Sequence, residues 1–292
     1  MKVPSAPIVA GVDGSASALS AVSWAAQECV RHKVPLRLVH AYLLPAPGHL
    51  AVTLTGTDIR EAIEQLGRDK LEEAVAAVRA AGQEVEVTTE VVCGGATALL
   101  IEESKAARLV VVGSQGLGTV TGMLVGSTAL ALAAHGKSPV IVVRGTAVPD
   151  GPVVVGVDGS PTSEAALAFA FETASLRSAQ LTVLMCWTDF MVESAYTASR
   201  FTVDWADVEA DERRLLAQRL AGWQEKYPDV RVHPVVVRDR PVRALIRYGA
   251  EAQLVVVGSH GHGGFAGMLL GSTSQALVYN APCPLAIVRP ED

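Results

Sequence analysis

The segment Gly11-Val12-Asp13-Gly14-Ser15 recurs without change as Gly156-Val157-Asp158-Gly159-Ser160, 145 residues further along the chain. Each copy ends a short run of apolar, largely β-branched residues, which is typical of a buried parallel strand that leads into a tight turn. A repeat unit of this length is far longer than one turn of a solenoid. It indicates duplication of a complete domain.

The same offset relates much of the rest of the two halves. It carries Gly113-Ser114-Gln115-Gly116 onto Gly258-Ser259-His260-Gly261, Gly122-Met123-Leu124 onto Gly267-Met268-Leu269, Gly126-Ser127-Thr128 onto Gly271-Ser272-Thr273, Pro139 onto Pro284 and Arg144 onto Arg289. Between the halves, Pro149-Asp150-Gly151 has the composition of a linker. We therefore predict two domains, residues 1–146 and 151–292, because a chain of 292 residues suits two domains better than one.

Apolar runs alternate with helical stretches in both halves, the pattern of a parallel sheet that helices cover on both faces. Ser160 followed by Pro161 is typical of a helix start. Residues 43–58 and 190–204 are the least regular and are predicted to be loops or lids. The predicted fold class is α/β, with two tandem doubly wound, Rossmann-like domains. We predict strands at 8–12, 36–40, 85–92, 109–112 and 140–143, and at 153–157, 181–185, 230–237, 254–257 and 285–288.

Composition and charge exclude several classes of function. Half of the residues are hydrophobic and 18% are charged, which suits two folded cores. A formal net charge of -6 argues against sequence-independent binding to nucleic acid or to anionic membranes. The four cysteines have no metal-site or disulfide spacing, so we expect a reducing, cytoplasmic location. No apolar run has the length of a membrane span or of a secretory core, so no membrane insertion is expected.

Both glycine-rich motifs follow a predicted strand, which places them at the carboxyl edge of the sheet, where doubly wound folds bind ligands. The spacing in the first half is Gly113, two residues, Gly116, nine residues, then Gly126-Ser127, and the second half repeats it. Loops without side chains let backbone N–H groups approach an anion, and a helix N-terminus adds unpaired donors and a favourable dipole. This arrangement predicts a phosphate cradle. Asp13 and Asp158 would be repelled by phosphates, so ribose hydroxyls or an adenine amino group suit them better.

Each of these features also has a purely structural interpretation. The glycines could form tight turns, Asp13 and Asp158 could be turn or cap residues, and Ser127 and Ser272 could be ordinary N-caps. Met123 and Met268 could be packing residues. Asp189 could be a turn residue, and His260 and His262 could be exposed loop residues.

Two further motifs are rejected. His135-Gly136-Lys137-Ser138 lacks the upstream glycine of a phosphate-binding P-loop. Gly261-His262-Gly263-Gly264-Phe265-Ala266 fits the dinucleotide pattern but follows the wrong strand and lacks the downstream acid. No nucleophile–base pair, carboxylate pair or metal-ligand spacing suggests a catalytic centre.

At these residues the chain resembles the universal stress protein family, in its tandem-domain actinobacterial form. The hallmark of the family's ATP-binding branch is Gly-x2-Gly-x9-Gly-(Ser/Thr), which both halves satisfy without a gap. The resemblance implies domains like those of the adenine nucleotide alpha hydrolases, with five strands in the order 3-2-1-4-5 and one ATP in each. It further implies dimers formed through the last strand, both within and between chains, and a role in stress or dormancy. Gln115 stands where family members frequently have Arg or His, and Thr119 stands where they frequently have Gly. The first site is therefore expected to bind ATP somewhat differently.

The resemblance and the loop positions together define two predicted ATP sites. The first consists of Gly11, Val12, Asp13, Ser15, Val39, His40, Ala41, Val112, Gly113, Ser114, Gln115, Gly116, Leu117, Gly118, Thr119, Met123, Gly126, Ser127 and Thr128. The second consists of Gly156, Val157, Asp158, Ser160, Met185, Cys186, Asp189, Val257, Gly258, Ser259, His260, Gly261, His262, Gly263, Gly264, Met268, Gly271, Ser272, Thr273 and Ser274.

Three functions follow from these sites. The leading one is a nucleotide-dependent stress-response regulator that engages a protein partner and is not a fast enzyme. The second is a slow ATPase in which His260 or Gln115 places the attacking water. The third is an interaction scaffold with vestigial sites. Whether Mg²⁺ accompanies ATP is left open, because the sequence contains no evident cluster of carboxylate ligands.

Overall fold

The β-branched runs of each half form a five-stranded parallel sheet, as the computed structural model shows for residues 5–44, 56–116, 126–187, 205–261 and 269–290. Internal contacts divide the chain into a first unit that ends at Arg144 and a second that extends from Gly145 to Pro290. The predicted α/β class with two tandem Rossmann-like domains is confirmed.

The elements of the first unit are β1 (Ile8–Gly11), α1 (Ala16–His32), β2 (Leu36–Tyr42), α2 (Gly56–Ala80), β3 (Val87–Cys93), α3 (Ala96–Glu103), β4 (Leu109–Gly113), α4 (Ser127–His135) and β5 (Val140–Val143). Those of the second are β6 (Val153–Val157), α5 (Pro161–Arg177), β7 (Leu181–Cys186), α6 (Trp205–Lys226), β8 (Val232–Val237), α7 (Pro241–Gly249), β9 (Leu254–Gly258), α8 (Ser272–Asn280) and β10 (Leu285–Val288).

The strand order within the first unit is β3-β2-β1-β4-β5, and within the second it is β8-β7-β6-β9-β10. Helices α1 and α2 pack together on one face of the first sheet, whereas α3 and α4 pack together on the other. The winding reverses between β1 and β4, which are hydrogen-bonded neighbours. A crevice therefore opens at their carboxyl ends, as in other doubly wound sheets.

The core of the first unit consists of apolar residues from the strands and from α3 and α4. Val9, Val110 and Val112 contribute from the central strands, and Leu100 and Leu132 from the two helices. All five are at most 5% exposed. Burial on both faces explains why these strands are continuous apolar runs without alternation.

The predicted strand bounds differ from the observed ones mainly at the sheet edges. The third strand begins at Val87 instead of residue 85, and its counterpart begins at Val232 instead of residue 230. An edge strand has a neighbour on one side only, so its ends depend on pairing that an apolar pattern does not encode. The predicted loop at 43–58 is also too long, because α2 begins at Gly56. The predicted loop at 190–204 lies outside the described residues.

Helix starts follow the cap chemistry of the sequence. Ser15 and Ser160 are the N-caps of α1 and α5, where their hydroxyls accept hydrogen bonds from the Ala18 and Ser163 N–H groups at 3.1 and 3.2 Å. The helix start predicted at Ser160 is confirmed. The structural alternative for Ser127 and Ser272 is wrong, because both follow a glycine N-cap and are the first residues of α4 and α8.

The segment that joins the two halves is bonded to the second unit. The Thr146 N–H donates to the Pro282 carbonyl at 2.9 Å, and the Val148 N–H donates to the Ala252 carbonyl at 3.1 Å. These hydrogen bonds explain why the contact boundary falls at Gly145, and the domain limits 146 and 151 stay predictions.

Candidate functional site

A cavity of about 430 Å³ opens in the first unit at the carboxyl ends of β1, β2 and β4. This is the edge at which the sequence places both glycine-rich loops. The volume lies in the range of small-molecule pockets. The cavity is lined by Gly11, Val12, Asp13, Ala18, Val39, Ala41, Ala96, Leu99, Leu100, Val112, Gly113, Gln115, Gly116, Gly126, Ser127, Thr128 and Ala129.

One part of the cavity is apolar. Val12, Val39 and Val112 contribute from β2 and from the ends of β1 and β4, and Leu100 contributes from α3. All four are buried, so they form fixed walls and not a loose surface patch. A flat apolar group would be desolvated between them.

The pleat of β2 decides which predicted residues face this slot. Val39 and Ala41 line the cavity, whereas the intervening His40 points its side chain to the opposite face of the sheet. There the His40 Nδ1 lies 2.6 Å from the Val12 carbonyl oxygen, and its ring lies beside Gly67 of α2. The predicted role of the His40 side chain in the site is therefore not supported by its position.

The polar part of the cavity is built from the loops after β1 and β4, which are hydrogen-bonded to each other. The Ser15 hydroxyl donates to the Gln115 carbonyl at 3.3 Å, and the Gln115 N–H donates to the Ser17 hydroxyl at 3.4 Å. The Gly126 N–H donates to the Ser114 carbonyl at 2.9 Å. These bonds hold the two ends of the Gly-x2-Gly-x9-Gly segment together.

Asp13 lies between the two loops. Its Oδ1 accepts a hydrogen bond from the Ser15 N–H at 2.9 Å. Its Oδ2 lies 2.7 Å from the position that a Cβ atom would take on Gly116. Any side chain at residue 116 would displace the carboxylate, so Gly116 allows Asp13 to face the cavity.

The three motif glycines differ in what surrounds them. A Cβ atom on Gly113 would lie 2.7 Å from the carbonyl carbon and oxygen of Ser17, so this position excludes side chains for packing reasons. A Cβ atom on Gly126 would meet nothing closer than 3.9 Å, where the Gly116 nitrogen and the Ser114 oxygen lie. The fold therefore imposes no packing requirement for glycine at residue 126.

Helix α4 begins at the cavity. Gly126 is its N-cap and has no side chain to satisfy the free N–H groups of the first turn, to which Ser127 and Thr128 belong. Unpaired N–H donors and the positive end of the helix dipole favour an anion at this point.

The second unit repeats this framework around Asp158. The Asp158 Oδ1 accepts hydrogen bonds from the Ser160 N–H at 3.0 Å and from the Ser160 hydroxyl at 2.6 Å. A Cβ atom on Gly261 would clash with the Asp158 Oδ2. The Gly271 N–H donates to the Ser259 carbonyl at 2.8 Å, as the corresponding residues of the first unit do.

The second unit also has features that the first lacks. The buried Ser274 hydroxyl donates to the Gly258 carbonyl at 2.6 Å, so it supports the loop, whereas Ala129 is its counterpart. The Ser259 hydroxyl lies 3.0 Å from the His260 Nδ1.

Met185, a predicted site residue near the end of β7, is buried. Burial, with a contribution from Asp239, raises the pKa of the Cys186 thiol to about 12, so this cysteine is a poor nucleophile.

Several predicted site residues lie outside the described residues: Leu117, Gly118, Thr119 and Met123 in the first half, and Asp189, His262, Gly263, Gly264 and Met268 in the second. Conversely, the sequence analysis missed cavity residues contributed by α1, α3 and α4, namely Ala18, Ala96, Leu99, Leu100 and Ala129. The position of α3 directly after β3 at the same sheet edge was the available signal.

The described residues contain neither a metal-binding group nor a membrane-spanning helix. Within the parts of the chain that the structure describes, no group of three or more His, Cys, Asp or Glu side chains could hold a metal ion. Asp13 is the one carboxylate among the described residues that line the cavity. Across the same described ranges, none of the helices combines the length and apolar character needed to span a membrane.

The fold and the cavity define a tandem doubly wound α/β protein with a cavity lined by glycine-rich loops at the switch point of its first sheet. A sequence profile of the Universal stress protein family matches residues 5–144 and again residues 151–289. The chain belongs to the universal stress protein family.

Relatives of similar length support this assignment. A universal stress protein of Mycolicibacterium smegmatis is 41% identical over 294 residues, which cover 97% of each chain. One from Mycobacterium tuberculosis is 40% identical over 290 residues, which cover 97% of this chain and 96% of the relative. The solved structure of a universal stress protein from Archaeoglobus fulgidus has a TM-score of 0.70 at 19% identity and covers 99% of this chain and 98% of its own. This last similarity concerns the fold.

Proposed function

We propose that the cavity of the first unit binds an adenine nucleotide, with ATP as the physiological ligand. The observation that carries the proposal is that one cavity combines buried apolar walls, glycines on the loop after β4 and at the N-cap of α4, and a single carboxylate among its described lining residues. The slot suits the adenine ring, Asp13 suits the ribose hydroxyls or the adenine amino group, and the N–H groups in the first turn of α4 suit phosphate oxygens.

We propose a second ATP site in the second unit, at the residues that repeat this framework. Gly156, Val157 and Asp158 would take the places of Gly11, Val12 and Asp13, and Gly271 that of Gly126. The equivalence of the hydrogen bonds around Asp158 and Gly271 supports this proposal.

We infer that binding, and not rapid catalysis, is the function, so that nucleotide occupancy regulates an interaction with a protein partner during stress. The hydroxyl–imidazole contact between Ser259 and His260 is the described feature that a slow ATPase would use. A slow ATPase and a scaffold with vestigial sites are the alternatives. A homodimer, a cytoplasmic location and the domain limits 1–146 and 151–292 are further parts of the proposal, and the free thiols of all four cysteines agree with a reducing compartment.

Mg²⁺ fits the site only as a companion of the phosphates. Asp13 is the one carboxylate among the described residues that line the cavity, and its Oδ1 already accepts the Ser15 N–H. Mg²⁺ keeps several waters and binds through one or two carboxylates plus phosphate oxygens. We therefore propose that any Mg²⁺ enters with ATP.

The test is mass spectrometry of the supernatant from purified, denatured protein, combined with calorimetric titration of nucleotide-free protein with ATP. We expect two ATP molecules per chain in the wild type and one in a variant whose first cradle is blocked. Phosphate release that is lost in His260→Ala while binding is retained would favour the ATPase alternative. The scaffold alternative would replace our proposal if neither measurement detects ATP.

A further inference from the structure

The second unit carries a dense group of arginines at the turn between β8 and α7. Arg238, Arg240, Arg243 and Arg247 lie within ten residues and are all exposed, and we call these four residues the arginine patch. Asp239 lies among them with a side chain only 12% exposed, 3.6 Å from Arg243 Nε and 3.6 Å from Arg247 Nη1. Asp239 thus pairs with two of the four arginines, in a chain whose formal net charge is -6.

The fold does not require the arginine patch. In the first unit the corresponding positions are Cys93, Gly95, Ala98 and Glu102, at the equivalent β3–α3 turn. The same supersecondary element thus forms without positive charge. Exposed ion pairs at such distances also contribute little to stability, so folding does not explain why four arginines occur here.

Aromatic rings support two of the arginines. The Arg238 guanidinium carbon lies 5.6 Å from the centre of the Trp187 ring, and that of Arg247 lies 5.2 Å from the centre of the Tyr248 ring. Stacking uses the face of a guanidinium and leaves N–H groups on its edge for a planar carboxylate. Arginine, tryptophan and tyrosine are also the residues enriched in the energetic centres of protein interfaces.

The arginine patch lies beside the proposed second nucleotide site. Cys186 ends β7, and both Asp239 and Arg247 are close enough to act electrostatically on its thiol. A molecule bound to the patch would therefore lie at the carboxyl edge of the second sheet.

We propose that the arginine patch is a docking surface for an acidic segment of a partner protein. Glu and Asp side chains of the segment accept paired hydrogen bonds from the exposed guanidinium edges. A nucleic acid fits less well, because its extended negative charge would also face a protein of net negative charge. The inference does not depend on nucleotide binding, so it can fail or succeed separately from the proposed function.

The test uses the full chain and a fluorescein-labelled peptide of alternating Glu and Gly, with fluorescence anisotropy as the readout. The double variant Arg240→Gln/Arg243→Gln is compared with Arg213→Gln/Arg214→Gln, which removes the same charge from exposed, ion-paired arginines of α6 in the same unit. We expect affinity to fall at least about tenfold in the first variant and less than about twofold in the second. Arg240→Lys/Arg243→Lys should give an intermediate loss, because lysine keeps the charge but not the paired geometry.

Equal losses in the two Gln variants would show a general charge effect and overturn the proposal. Equal affinity for a Gln-Gly peptide, absence of peptide binding by the wild type, or tighter binding of oligo-dT through the same arginines would also overturn it. Thermal unfolding of each variant checks that the fold is retained, which the exposure of these side chains leads us to expect.

Discussion

Replacement of Gly126 by alanine should weaken ligand binding at the first site with little effect on the fold. The backbone at Gly126 has φ −59° and ψ 138°, which alanine adopts without strain. The nearest atoms to the new Cβ, the Gly116 nitrogen and the Ser114 oxygen, are 3.9 Å away. The remaining cost is that of a poorer N-cap, about 1 kcal/mol or less.

The effect on binding should be larger than the effect on stability. A phosphate oxygen bound to an N–H group in the first turn of α4 would lie about 2.9 Å from the donor nitrogen. The new Cβ at residue 126 would lie at the start of that turn, among residues that line the cavity, and would occupy part of the same space. Each lost hydrogen bond to a charged group costs about 1.5–3 kcal/mol, so ATP affinity at the first site should fall about tenfold to a hundredfold.

The assay is calorimetric titration with ATP, beside urea unfolding of the same preparations. Gly95→Ala is the matched control, because Gly95 is also an extended N-cap glycine with nothing near its Cβ position, in a helix that borders the same cavity. We expect one of the two ATP sites to be weakened about tenfold to a hundredfold in Gly126→Ala and both to keep their affinity in Gly95→Ala, with similar unfolding midpoints. Unchanged affinity in Gly126→Ala, or an equal loss in Gly95→Ala, would refute the placement of the phosphates.

Three further predictions test the packing around the sites and the burial of the thiols. Gly113→Ala should lose about 1–3 kcal/mol of stability in urea unfolding, because its Cβ would lie 2.7 Å from the Ser17 backbone; a native-like midpoint would contradict this. Ser274→Ala should lose about 1–3 kcal/mol, because the buried Gly258 carbonyl loses its donor; no change would mean that water replaces the hydroxyl. Burial raises the pKa of three thiols to about 12, whereas Cys93 is exposed, so a thiol reagent at about pH 8 should label Cys93 first. Equally fast labelling of a second thiol in the native protein would contradict this, and rates at the buried thiols should rise only as the pH approaches their raised pKa.

The sequence predicts the sheet well because buried parallel strands are continuous apolar runs, and the two halves provide the pattern twice. It predicts the cavity less completely. His40 and Val39 are adjacent in the sequence, yet the pleat of β2 sends their side chains to opposite faces of the sheet. Leu99 and Leu100 enter the cavity because α3 packs against α4, which no local pattern encodes. Residues of a site that tertiary packing assembles in this way could not be found from spacing alone.

The Gly-x2-Gly-x9-Gly spacing combines residues that are glycine for different physical reasons. Gly113 must be small because the backbone of α1 lies against it, and Gly116 because Asp13 lies against it. A protein that had lost nucleotide binding would still need the first of these glycines to keep its fold. Gly126 has no such neighbour, so a requirement for glycine there would come from a ligand and not from packing. An intact motif therefore argues most strongly for a working site at its last glycine, and the behaviour of Gly126→Ala is what distinguishes a nucleotide-binding regulator from a scaffold of the same fold.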